Sequence, residues 1–196
     1  MITRIIHQCW FGRPPPDDIA HFMHTVRVQH TTWSYMLWDE SNVDVLGQNV
    51  SEEYGRLKNW ASVSNLVRLV VLKKFGGIYL DTDVECLKSF EPLRICNAFA
   101  ALQDNEEING NKGRLCNAVM GAEPEHPWIN WQIEHFNDFD QQDPASSIYL
   151  ASTAPRDGLT LIPPHLVYPF HWDDPAEKRK PHPESIAVHW WKGGWR

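Results

Sequence analysis

Three features of this 196-residue chain predict an α/β fold. Short β-branched or apolar runs alternate with stretches of helical period from one end to the other, without repeat or linker. A 42% hydrophobic content supplies the core of one domain over residues 1–196. The third feature is a Gly76-Gly77 break, which stops an apolar helix and opens a short buried run that ends in two acids, Asp81 and Asp83.

Taken in order, Arg4 to Phe11 is apolar and β-branched and reads as a strand, stopped by Gly12 and the Pro14-Pro15-Pro16 run. A first strand ending in a glycine loop is where an α/β sheet admits a ligand. Asp17 or Asp18 then caps a helix to about His30, with Ile19, Phe22, Met23 and Val26 on one face. Tyr35 to Trp38 is a second strand, and residues 41–58 read as short helical turns. From Trp60 to Phe75 the apolar positions recur at helical spacing nearly all round, so this helix is expected to be buried. Its polar exceptions, Asn65 and Arg68, share a face. A guanidinium there needs a partner, either a carboxylate of the acidic pair or a ligand phosphate.

Further strands are expected at 98–102, 115–120, 159–162 and 185–189, with helices at 126–136 and 146–151. Residues 103–113 read as a polar surface loop, and the Pro- and charge-rich stretch 168–183 as a solvated excursion without a binding role.

The acids carry the chemistry. In extended backbone Asp81 and Asp83 point the same way and Thr82 the other. Two aligned carboxylates suit a hard divalent cation such as Mg²⁺ or Mn²⁺, and with no Cys or His beside them they do not suit zinc. Spacing alone equally describes a solvated turn.

The net charge of −7, from 18 basic and 25 acidic residues, argues against nucleic acid or an anionic membrane as partner. Four scattered cysteines without paired spacing read as reduced thiols. No apolar run reaches the ~20 residues of a membrane span. With no signal peptide or anchor in view, a minimal catalytic domain in a bacterial or viral-host cytoplasm is expected.

Several segments together resemble glycosyltransferase family 32, the Asp-x-Asp sugar transferases related to yeast-type mannosyltransferases, capsule enzymes and clostridial glucosylating toxins. They are Ile5 to Gly12, Ala61 to Arg68, Gly76 to Asp83, Asn117 to Pro127, Thr153-Ala154-Pro155 and His189 to Trp195. The Arg68 to Asp83 block is the specific one. The resemblance implies a GT-A type nucleotide-sugar-binding domain with a mixed central sheet flanked by helices, and a metal, Mn²⁺ or Mg²⁺. It implies transfer of a hexose from a UDP- or GDP-linked sugar to a glycan hydroxyl, with retention of configuration.

Asp81 and Asp83 would hold the metal against the diphosphate, where it stabilises charge on the leaving group. Arg68 and Tyr79 match donor contacts, and Arg68 joins the two acids as a catalytic residue. Asn65 departs from the family's usual Asp and loses a charge at the donor. Trp10, beside Gly12, either stacks on the base or fills the core. His189 either completes the metal site or is packed between neighbours. Lys192, with Gly193-Gly194, lies over the diphosphate or is a free tail residue. Asn117 and Asp104 are placed near the sugars by segment position alone. A phosphohydrolase would need a second acidic cluster, a sugar-binding module leaves Arg68 unexplained, and a degenerate transferase would be signalled by Asn65.

Overall fold

A computed structural model gives the fold and describes residues 1–47, 50, 60–104, 108, 110–139, 143 and 145–192. Strand β1 (Ile5–Cys9) lies between β2 (Ser34–Trp38) and β3 (Gly77–Leu80) and runs parallel to both. Beyond β3, β6 (Arg114–Ala122) runs antiparallel to β3 and to β5 (Ala98–Asp104). β7 (Leu159–Ile162) lies parallel to β5 at the edge, giving a mixed sheet of order β2-β1-β3-β6-β5-β7.

Helix α1 (Asp17–Gln29) carries the chain from β1 to β2, and α2 (Trp60–Phe75) precedes β3. The chain thus leaves β1 toward one neighbour and returns on its other side. The carboxyl ends of β1 and β3 therefore border the crevice where an α/β sheet binds ligands. α2 packs with α3 (Pro127–Glu134) and α4 (Ser146–Thr153) against one face of the sheet, in a cluster that includes Val67, Leu72, Tyr79, Met120, Trp128 and Leu150. The other face buries Ile6, Ile78, Phe99 and Val119 with Val26 of α1. Tyr79 and Ile78 fall in different clusters, as the alternation of a strand requires.

The Gly76-Gly77 break is fixed sterically. Gly76 (φ 62°) accepts no Cβ, because one would sit 2.6 Å from Pro124 Cδ, and at Gly77 (φ 101°) a Cβ would sit 2.5 Å from the Ile5 carbonyl oxygen. The helix consequently ends close against the sheet, and β3 starts in register with β1.

Four expectations change. Neither aspartate stands at the N-cap of α1: Pro16 does, and Asp17 and Asp18 occupy the first turn, where they complement the helix dipole and Asp18 Oδ1 accepts the Ile19 amide at 3.0 Å. Gln103 and Asp104 belong to β5, held by the long β6 partner, so the surface loop starts later. α3 stops at Glu134 and opens on His126, whose Nδ1 accepts from the Trp128 amide. A short strand, β4 (Val84–Cys86), follows the acids and pairs antiparallel with β8 (Ala187–His189) in a separate two-stranded sheet. β4 has only three residues, too few for a visible alternation. Of the turns expected at 41–58, Val43–Leu46 forms a 3₁₀ turn, and residues 48, 49 and 51–59 lie outside the described residues.

Candidate active site

The acidic pair sits at the end of β3, but in a turn. The Asp81 amide still donates to Ala118 O on β6, while the Val84 amide folds back onto Asp81 O at 3.1 Å. The carboxylates therefore converge through a reversal of the chain, not through the alternation of an extended strand. Both are buried, at 9% and 4% exposure.

The β4–β8 pairing supplies the third group. It places His189 opposite Val84, one residue beyond the acids. The Trp190 amide donates to Asp83 O at 3.0 Å, and the Lys192 amide donates to Asp83 Oδ2 at 2.8 Å. His189 Nε2 lies 3.1 Å from Asp83 Oδ1. Yet neither ring nitrogen has an aligned hydrogen bond, although the residue is 3% exposed. One donor atom each from Asp81, Asp83 and His189 falls within a 4.8 Å cluster. A buried imidazole whose close partner is the Asp83 carboxylate, with a second carboxylate beside it, fits a cation ligand set. These three residues could hold a divalent metal.

The electrostatics reflect the crowding. Burial opposes a charge on His189, but Asp83 outweighs it and raises the imidazole pKa to about 10. Burial also pushes Asp83 upward, and His189 reverses this to leave it below the ordinary range. Asp81 ends above its ordinary value because burial exceeds the pull of Arg68.

Arg68 takes the carboxylate partner of the two that its sequence position allows. Its Nη2 donates to Asp81 Oδ1 at 2.9 Å and its Nη1 to Asn117 O at 2.7 Å, at 3% exposure. The guanidinium lies 4.5 Å from the Tyr79 ring centroid. Tyr79 is itself 1% exposed, so it supports Arg68 and Asp81 from below. Asn65 and Asn117 meet beside Arg68: Asn117 Nδ2 donates to Asn65 Oδ1 at 3.3 Å and to Ser147 Oγ on α4 at 2.5 Å.

Two cavities open on this centre. One of about 710 Å³ is lined by Asn65, Arg68, Asp81, Asp83, Asn117 and His189 among others, a size that suits a small-molecule ligand. A second, of about 70 Å³, lies beside Trp10, Phe11, Trp60 and Tyr79 and shares Asp81 and Asp83. Trp10 thus faces the site while its indole donates to Arg13 O at 2.6 Å. Gly12 is not at the wall of either cavity; its amide donates to Glu40. Lys192 lines the larger cavity, with its ammonium 3.0 Å from Asp18 Oδ2 on α1. Gly193 and Gly194 lie outside the described residues. Asp104 does not face the site, because Arg114 engages it across the β5–β6 ladder.

Residues 16–100 match the model of the glycosyltransferase sugar-binding region containing the DXD motif. Over those residues, less than half of its length, the chain is similar to that region. Inositol phosphoceramide mannosyltransferase 1 of Schizosaccharomyces pombe is 26% identical over 148 residues, 72% of this chain and 44% of that protein. An uncharacterised glycosyltransferase, L373, of Acanthamoeba polyphaga mimivirus is 27% identical over 155 residues, 76% of this chain and 60% of its own length. The chain spans less than two thirds of either relative. The solved PaToxG glycosyltransferase shares the fold at TM-score 0.61 and 15% identity, over 80% of this chain and 69% of that one. The resemblance to glycosyltransferase family 32 and the GT-A type fold both hold.

Several site residues of this DXD chain carry no signal in the sequence. Trp60 stacks on Phe11, with ring centroids 5.7 Å apart and planes 22° apart, at the smaller cavity. Ser147 reaches Asn117 from α4. The stretch 168–183, expected to be a solvated excursion without a binding role, brings Trp172 and Arg179 to the wall of the larger cavity. Arg179 holds this segment in shape by donating to Asp174 O at 2.8 Å and Trp172 O at 2.7 Å. Only the folded path shows that contact.

Proposed function

We propose that residues 1–196 form one catalytic domain of a metal-dependent glycosyltransferase that moves a hexose from a nucleoside-diphosphate sugar to a glycan hydroxyl. The observation that carries this reading is the buried His189, without an aligned hydrogen bond, against Asp81 and Asp83 at the wall of a cavity large enough for a donor. The mixed oxygen and nitrogen donors favour Mn²⁺ over Mg²⁺. When bound, the cation supplies Lewis-acid stabilisation to the departing diphosphate. Arg68 orients Asp81 and offsets part of the cost of burying its charge. Lys192 supplies a positive charge at the same wall, and Phe11 and Trp60 offer aromatic faces for a base.

The acceptor side is the wall with Trp172 and Arg179. Trp172 is 57% exposed, an aromatic face available to a sugar ring. The reading is one of retention. Among the described residues of the cavity, Asp81 and Asp83 are engaged with Arg68 and His189. Asp143 Oδ1 accepts the Ala145 amide, with its backbone carbonyl taking the Ser146 amide, so Asp143 is read as capping the start of α4 and none of the three is assigned as a general base. Four free thiols, three of them buried, are consistent with a reducing compartment, and we assign the domain to the cytoplasm.

The test is a thermal-melt screen of Mn²⁺ or Mg²⁺ against UDP, GDP and their common sugars. A ligand at ~100-fold excess over Kd adds about 2.7 kcal/mol to the native state. A metal-dependent shift with one nucleotide is expected, together with donor-dependent transfer to an acceptor glycan. No shift with any nucleotide, with or without metal, rejects the proposal.

A further inference from the structure

A second group of donor atoms lies on the surface, outside the cavities and the DXD site. His165 stands in the 3₁₀ turn Pro164–Leu166, and His182 and Glu184 stand in the connection that leads into β8. One donor atom from each falls within 4.8 Å of the others. His165 Nε2 is 3.2 Å from Glu184 Oε2, and His182 Nδ1 is 4.0 Å from the same oxygen. Ligand bonds of about 2.0–2.1 Å at tetrahedral angles put neighbouring donors about 3.3 Å apart, so the first pair is already at ligand spacing and the second needs a small contraction.

The backbone holds this arrangement in place. Ser185, 0% exposed, ties the two segments together: its hydroxyl donates to His165 O at 2.6 Å and accepts the His182 amide at 3.1 Å. Its amide donates to His182 O at 2.9 Å, and the Ile186 amide donates to Leu166 O at 2.8 Å. The two imidazoles lie with ring centroids 4.5 Å apart, and the Glu184 amide donates to His182 Nδ1 at 3.2 Å, a bond that a cation held by Nδ1 would replace. The three side chains thus converge from segments whose spacing is set by buried hydrogen bonds, which lowers the ordering cost of a ligand.

We propose that His165, His182 and Glu184 bind a borderline divalent cation of the zinc type, clipping the 3₁₀ turn to the segment that delivers β8. Two imidazole nitrogens and one carboxylate oxygen are a donor set for Zn²⁺, and nitrogen donors disfavour Mg²⁺ or Ca²⁺. Side-chain exposures of 39%, 45% and 69% leave room for water at the fourth position.

The full chain, freed of metal, is titrated with zinc chloride by calorimetry and melted at each ratio. Two classes of Zn²⁺ site are expected, one at Asp81, Asp83 and His189 and one at the clip. His165→Ala and His182→Ala, both at the surface, each weaken the clip class by at least about 10–100-fold, the range produced by losing even a ligand's outer-shell partner. Each leaves the other class unchanged, and the Zn²⁺-dependent rise in Tm shrinks. If the double variant keeps both classes, or if the wild-type chain binds Zn²⁺ only at the DXD site, the proposal fails and the cluster merely pairs histidines with a glutamate.

Discussion

Two buried histidines, His7 at 0% exposure and His189 at 3%, show how equal burial serves opposite ends. His7 sits beneath the Gly76-Gly77 break. Its Nδ1 accepts from Trp38 Nε1 at 3.1 Å, and its Nε2 donates to Gly76 O at 2.9 Å, so both nitrogens are satisfied. Burial lowers its pKa to about 4, and it is a neutral structural group. His189 has no aligned partner at either nitrogen and lies against Asp83, which draws its pKa the other way. A buried histidine held by neutral groups at both nitrogens specifies a turn, whereas one set against carboxylates marks a binding site.

This contrast sharpens into measurements, ordered from the largest effect down. Replacing Asp83 by Asn should reduce transfer by at least about 10²–10³-fold, the scale of removing one charge-stabilising group, while the far-UV spectrum stays native. Transfer near the wild-type rate in that variant would remove Asp83 from the site. His7→Leu strands a buried indole N–H and a buried carbonyl. It should lower unfolding stability in urea by about 2–4 kcal/mol and leave Mn²⁺ affinity unchanged. Weakened Mn²⁺ binding in a folded His7 variant would break the comparison.

The pH dependence of stability comes next. His7 has a folded pKa of about 4 against an ordinary value of 6.5. The unfolded chain therefore takes up the proton first as pH falls. His7 contributes stability fully above about 6.5 and loses it progressively down to about 4, by on the order of 3 kcal/mol. In a His7→Gln variant the slope of the urea midpoint across that window should flatten; an unchanged slope would mean that His7 does not titrate there. The smallest effect is expected for His189→Ala, which should weaken Mn²⁺ binding by about 10-fold, or ~1.4 kcal/mol, less than loss of either aspartate. Unaltered Mn²⁺ affinity would return His189 to a packing role.

Much of the first region was legible in the sequence. The period of α2, the glycine pair and the short apolar run give the helix, the break and the strand by local rules, and the acids follow at fixed spacing. The buried face of α1, with Ile19, Phe22, Met23 and Val26, came from periodicity in the same way. The second region was legible only in part. Asp81, Asp83 and Arg68 are close in the chain, and their spacing is itself a signal. His189 is more than a hundred residues away and was placed by resemblance, because the strand that aligns it, β4, is too short to leave a pattern. Trp60, Ser147, Trp172 and Arg179 had no signal at all.

By itself, then, the sequence determined the α/β class, the burial of α2 and the two carboxylates at the end of β3, because periodicity, glycine sterics and charge act over a few residues. Tertiary structure alone decided which partner Arg68 takes, that the acids converge through a turn, and that His189 meets them. It also brought residues 172 and 179 to the cavity. Each of these depends on contacts between segments far apart in the chain, whose geometry is set by β4–β8 pairing and by packing on the sheet, and no local pattern encodes that.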